Sequence, residues 1–124
     1  MEIITTPVKV KTGKGRSRKY QFLDAEKMNN QYPSTFMLHS LQIRSNIPNR
    51  MWVKCGVQWS GGINENAWFE VIEVQKDDLG KITYTAELDK YNLSGLGEGV
   101  VACGIEPRHI LDLDFEKFKK MFAP

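Results

Sequence analysis

Met51-Trp52-Val53-Lys54-Cys55-Gly56-Val57-Gln58-Trp59 reads as a half-buried β-strand, because Met51, Val53, Cys55, Val57 and Trp59 alternate with Trp52, Lys54, Gly56 and Gln58. Ser60-Gly61-Gly62 is a turn signal. Ala-Trp-Phe-Glu-Val-Ile-Glu-Val-Gln over 67–75 then follows as a second strand, apolar on both faces in its middle, so the two segments form a hairpin. Lys76-Asp77-Asp78-Leu79-Gly80-Lys81 turns the chain again. Ile82, Tyr84, Ala86 and Leu88 alternate with Thr83, Thr85, Glu87 and Asp89 in a third strand. Three strands joined by short turns predict an antiparallel meander.

Downstream of the meander, the glycine-rich 93–99 is a loop, and Val100-Val101-Ala102-Cys103-Gly104-Ile105 is a short buried strand ended by Glu106-Pro107. Asp112 or Asp114 caps a terminal helix through Phe122, in which Phe115, Phe118 and Phe122 form an apolar stripe. Upstream, 3–10 is β-branched and forms a first strand, placed at an edge by Pro7, which cannot donate to a ladder. Gly13-Lys14-Gly15 breaks it. Asp24 caps a short helix that ends near Tyr32, since the residue before Pro33 is disfavoured in helical conformation. The segment 34–44 has no clean period and is either a second helix or irregular wrapping. The predicted fold class is α+β: an antiparallel β-meander sheet with a short N-terminal helix and a C-terminal helix packed on it. One domain covers 1–124, with a strand plus basic loop over 1–23, the meander region over 50–113 and the terminal helix over 114–122.

The composition is that of a soluble globular domain: 124 residues, 41% apolar and 26% charged, with 17 Lys+Arg against 15 Asp+Glu. A chain of this length can bury about two thirds of its unfolded surface without a metal or disulfide staple. Two cysteines are too few for a disulfide framework. No run of about 18 apolar residues is present, and the first residues lack the basic-then-apolar order of a signal peptide, so the expected setting is cytoplasmic and no membrane partner is expected. Charge is uneven. Residues 1–62 carry 10 basic and 3 acidic groups, and 63–124 carry 7 basic and 12 acidic. Lys9, Lys11, Lys14, Arg16, Arg18 and Lys19 crowd one stretch, and no acid lies between Glu2 and Asp24.

The segments Met51-Trp52-Val53-Lys54-Cys55-Gly56-Val57-Gln58, Ala67-Trp68-Phe69-Glu70-Val71 and Tyr84-Thr85-Ala86-Glu87-Leu88 resemble the YegJ-like family, a domain of unknown function. Gly97-Glu98-Gly99-Val100-Val101 and Glu106-Pro107-Arg108-His109-Ile110-Leu111-Asp112-Leu113 are similar to its closing strand and terminal motif, with Leu113 in place of an aromatic residue. The resemblance covers residues 50–113. It implies a fold and no activity.

Metal chemistry finds no support in spacing: Cys55 and Cys103 are far apart, and His109 follows Cys103 by six positions, outside the paired spacing of structural zinc sites. Both cysteines are expected to be buried thiols packing like small apolar side chains. A nucleophilic Cys103 with His109 as base and Asp112 or Glu106 as orienting group would require an activated thiol, which burial in a strand opposes. No metal, cofactor or catalytic residue is therefore expected, and a non-enzymatic role is favoured.

Gly13-Lys14-Gly15-Arg16-Ser17 lacks the ending of a phosphate-binding loop, and Gly95-x-Gly97-x-Gly99 precedes a strand rather than a helix. The first can still gather an anion through Lys14, Arg16, Arg18 and Lys19. With Tyr20 and Phe22 behind it, the same stretch suits a phosphate backbone, although the pI near 8.5 is below that of most nucleic-acid domains. Arg50, Trp52 and Arg108, if exposed together, would make an aromatic and guanidinium patch. The Glu106-Pro107-Arg108-His109 cluster stands at a strand end and is the place to seek a site; its bland reading is a proline-started turn leading into the last helix. The expected function is a non-catalytic binding module for a protein partner or small anionic ligand, with nucleic-acid binding through 9–19 as the alternative. Strands apolar on both faces are also compatible with a homodimer.

Overall fold

The computed structural model describes residues 8–11, 17–35, 37–59, 64–89 and 101–122. Seven strands are present among them: β1 (Val8–Lys11), β2 (Ser17–Phe22), β3 (Trp52–Trp59), β4 (Asn64–Lys76), β5 (Ile82–Leu88), β6 (Val101–Ile105) and β7 (Ile110–Leu113). Three α-helices accompany them: α1 (Ala25–Gln31), the single turn α2 (Leu41–Arg44) and α3 (Phe115–Phe122). Every pairing is antiparallel, and the molecule is an α+β protein built on a curled sheet. Consecutive strands from β1 to β6 pair with one another, and β1 also meets β6 through Lys11 and Val101, so the sheet closes into a six-stranded ring. β7 lies outside that ring, paired to β3 beside the point where β2 leaves it.

The alternation quoted from 51–59 is observed over 51–58, apart from Gly56, which is also buried. Met51, Val53, Cys55 and Val57 are buried, and they meet Ala67, Phe69 and Val71 of β4 and Tyr84, Ala86 and Leu88 of β5 inside the curl. Phe22 packs edge-on to Phe69 with ring centroids 6.2 Å apart. The β4–β5 turn is set by Asp77, whose Oδ1 accepts from Leu79 and Lys81 N–H at 2.9 Å, and by Gly80 at φ 83°, a conformation that glycine adopts without strain.

Both helix caps read from sequence are present: Asp24 Oδ1 accepts from Lys27 N at 3.0 Å, and Asp114 Oδ1 from Lys117 N at 3.1 Å. α1 stops at Tyr32, ahead of Pro33. The open reading of 34–44 resolves as the one-turn α2 and irregular chain around it. Phe115 and Phe118 of α3 pack against the core cluster. Residues 93–99, read as a loop, Val100, read as the start of the strand after it, and Lys14 and Arg16 of the basic stretch lie outside the described residues.

Three expectations are corrected. Residues 17–22 are a strand rather than part of a basic loop, because pairing with both β1 and β3 supplies a ladder that local sequence does not announce. Pro107–His109 forms a single 3-10 turn that leads into β7 before α3 begins. Cys103 is exposed: the β5–β6 register shifts between Tyr84 and Ala86, Gly104 takes φ 77°, and Ala102 and Ile105 point inward on either side of the bulge.

Leu23 crosses β3 at Gly56, bonding through its N–H to the Gly56 carbonyl at 2.8 Å. A Cβ on Gly56 would lie 2.9 Å from Leu23 Cβ and 3.2 Å from Asn66 Oδ1. Gly56→Ala is expected to destabilise the fold by about 2 kcal/mol in urea unfolding, since Leu23 is itself buried and has nowhere to retreat. A loss under about 0.5 kcal/mol would show that the crossing relaxes freely.

Candidate functional site

The 106–109 cluster is built by a chain reversal that proline starts and histidine closes. Glu106 is extended, Pro107 fixes the first position of the 3-10 turn, and His109 N–H returns to the Glu106 carbonyl at 2.9 Å. His109 Nδ1 accepts from Glu106 N–H at 2.9 Å, so the neutral ring carries its hydrogen on Nε2. The ring is 3% exposed and stacks on Phe22 with centroids 5.2 Å apart. Burial holds its pKa down to about 4; Arg108 and Lys81 add to that shift, and Glu106 and Asp24 oppose it. His109 Nε2 and Arg108 Nε are both buried without a hydrogen-bond partner among the described residues.

Charged groups from several elements surround this turn. Arg108 lies 3.3 Å from Glu106 and 3.8 Å from Asp24, and Lys81 lies 3.5 Å from the other Glu106 oxygen. Asp24 is buried, so its carboxylate both caps α1 and faces Arg108. Arg44 fastens the neighbouring segments: Nε donates to His39 O at 2.8 Å, and Nη1 donates to Glu26 Oε2 at 2.8 Å and to Pro107 O at 2.9 Å. Tyr84 extends the network, donating to Arg44 O at 2.7 Å and accepting from Ile47 N at 3.2 Å. Arg44 and Tyr84 carried no sequence signal of this role, because one sits in an aperiodic stretch and the other reads as an ordinary inward strand residue.

The remaining candidates separate. Arg18 and Lys19 stand on β2, where Lys19 is the cross-strand partner of Lys9. Arg50 takes φ 71°, lies 3.8 Å from Glu70 and accepts from Lys117 Nζ at its carbonyl; Trp52, half-buried, is paired with Glu70 across β3 and β4. Arg108 is held elsewhere, by Asp24 and Glu106, so the three do not share ion-pair partners. Asp112, weighed as a cap, instead bonds His39 Nε2 at 3.1 Å while His39 stacks on Phe115 at 4.8 Å. That pair is solvent-accessible and therefore screened. Cys55 is fully buried, which pushes its thiol far above the ordinary range.

Among the described residues no group of three or more His, Cys, Asp or Glu could hold a metal ion, and no helix is long and apolar enough to cross a membrane. No family model, curated protein or solved structure matches the chain. The reading of the site therefore rests on its own geometry.

Proposed function

We propose that the protein is a non-catalytic binding module for a protein partner or small anionic ligand. The observation that supports this reading is the pair of buried N–H donors at one turn, Arg108 Nε and His109 Nε2. A buried donor without an acceptor costs about 1–3 kcal/mol, and a carboxylate or phosphate oxygen reaching either group would recover that cost. The ring is a poor general base: Nδ1 is engaged by Glu106 N–H and Nε2 carries the hydrogen, which supports the non-catalytic half of the proposal. The YegJ-like resemblance over 50–113 adds no activity to it.

The test is a titration with inorganic phosphate and with acetate, followed by NMR of the His109 ring and the Arg108 Nε–H. Saturable movement of those signals, weakened by Arg108→Gln, is expected. Signals that stay fixed under both probes would overturn the assignment to this turn.

A second reading, a nucleic-acid-binding protein using 9–19, is favoured by the β1–β2 ladder. The register pairs Lys9 with Lys19, so the ladder gathers the cations of that stretch onto two adjacent strands.

A further inference from the structure

β4 outruns its neighbour on one side. β3 pairs with it as far as Glu70, and Arg50 N–H and the Met51 carbonyl carry the ladder one residue further, bonding the Val71 carbonyl and N–H at 2.7 and 2.8 Å. Beyond Val71 only β5 accompanies the strand. Glu73, Val74, Gln75 and Lys76 pair with Thr85, Tyr84, Thr83 and Ile82, and the register shift leaves Ile72 as the extra residue of a bulge. Among the described residues, nothing pairs with the opposite edge of 72–76. Antiparallel partners alternate between bonded and non-bonded pairs, and Asp77 N–H bonds the Lys81 carbonyl at 3.0 Å. That alternation turns Gln75 and Glu73 toward β5 and leaves the N–H and C=O of Val74 and of Lys76 at the open edge. Ile72 and Val74 are exposed beside these groups, as is Leu79 in the turn that follows. Glu73, Gln75 and Asp77 share the outer face, where Gln75 Nε2 donates to Thr85 Oγ1 at 3.0 Å. Arg50 and Lys81 are engaged by Glu70 and Glu106, and among the described residues no cation pairs with Glu73, Asp77 or the exposed Asp78.

We infer that the 72–76 edge of β4 takes an extended, basic segment of a partner protein as an added strand. The free main-chain groups of Val74 and Lys76 bond the incoming backbone, which supplies affinity without regard to sequence. Charge supplies the selection. Lysine or arginine opposite Glu73 and opposite Asp77 meets two carboxylates on one face of the new strand, and an apolar residue opposite Val74 covers it on the other. The same carboxylates turn away a second copy of this chain. The register that joins every free edge group puts Gln75 on the symmetry axis and sets Glu73 directly opposite Asp77 of the other copy, a like-charge pair that weakens a ladder. The inference stands apart from the turn at 106–109, so its failure and the failure of that assignment are read from different residues.

The test uses the full chain and a capped, labelled peptide of alternating lysine and valine, followed by fluorescence anisotropy and by amide hydrogen exchange in the protein. Saturable binding is expected, with exchange at the Val74 and Lys76 amides slowed about tenfold and Gln75, already bonded to β5, little changed. Lys76→Pro removes one edge donor without removing a bond to β5 and is expected to weaken binding about tenfold. Glu73→Gln, which leaves the backbone alone, is expected to weaken it about threefold.

Peptide binding that leaves exchange at Val74 and Lys76 unchanged would overturn the inference and reduce the contact to surface charge. Equal binding of a peptide with glutamate in place of lysine would overturn it by removing the charge selection. Slowing of the same two amides with rising protein concentration and no peptide would overturn it in favour of a second copy. No binding of the basic peptide at about 1 mM would overturn it outright.

Discussion

Arg44→Ala is expected to lower the free energy of unfolding by about 3–4 kcal/mol. The guanidinium is 6% exposed and gives three hydrogen bonds to three separate segments: the His39 carbonyl before α2, the Glu26 carboxylate on α1 and the Pro107 carbonyl in the 3-10 turn. Truncation leaves the His39 carbonyl without its donor, takes from the Pro107 carbonyl one of two donors, the other being Ile110 N–H, and removes the packing of the long stem. Glu26 is partly exposed and recovers water, so the ion pair itself contributes little of the loss. Arg44→Lys should recover less than half, because one ammonium on a flexible stem cannot reproduce the planar fork that meets acceptors in different directions. Urea unfolding checks both; a loss below about 1 kcal/mol for Arg44→Ala would mean that these segments are held by packing alone.

Acid should destabilise the fold through His109 by up to about 3 kcal/mol. The folded-state pKa is lowered from 6.5 to about 4, so the unfolded chain binds the extra proton first. This contribution is complete above about pH 6.5, falls as the pH drops through the interval, and is exhausted below about pH 4. The structural reason is twofold: the charged ring would lie buried against Phe22, and protonated Nδ1 would confront the Glu106 N–H that it now accepts from. Stability measured across this range in His109→Gln is expected to fall less steeply by about that amount. An equally steep fall in the variant would assign the acid sensitivity to the carboxylates.

The central meander was legible because its information is local. Alternation at 51–59 and 82–88, a glycine turn and a two-aspartate turn fix three strands without reference to distant chain, and Asp24 and Asp114 announce their helices through the capping chemistry of one residue. The closing of the sheet was not legible, since β1, β2 and β6 find their partners across the fold and their own patterns are short, basic or glycine-interrupted. Ile110-Leu111-Asp112-Leu113 illustrates the difficulty: four residues before a helix resemble a lead-in until β3 is there to pair them. Cys103 was read as buried with the rest of its apolar run, whereas it faces outward next to inward Ala102, and the bulge at Gly104 returns Ile105 to the core. At the candidate site, the Glu106-Pro107-Arg108-His109 cluster stood out by polarity alone. Its burial, and the part played by Arg44, follow from helices that sequence places but does not dock.

The ring of strands carries an implication for how the molecule assembles. Each of β1 to β5 pairs with the strand that follows it in the chain; β1–β2, β3–β4 and β4–β5 can zip together through short connections at modest entropic expense, whereas β3 reaches β2 only across 23–51 with its two helices. The contact between β1 and β6 joins the two ends of the series, registered among the described residues at Lys11 and Val101. That seam cannot form until 101–105 has been made, so a chain emerging from the ribosome carries an unclosed ladder while all five earlier strands are made.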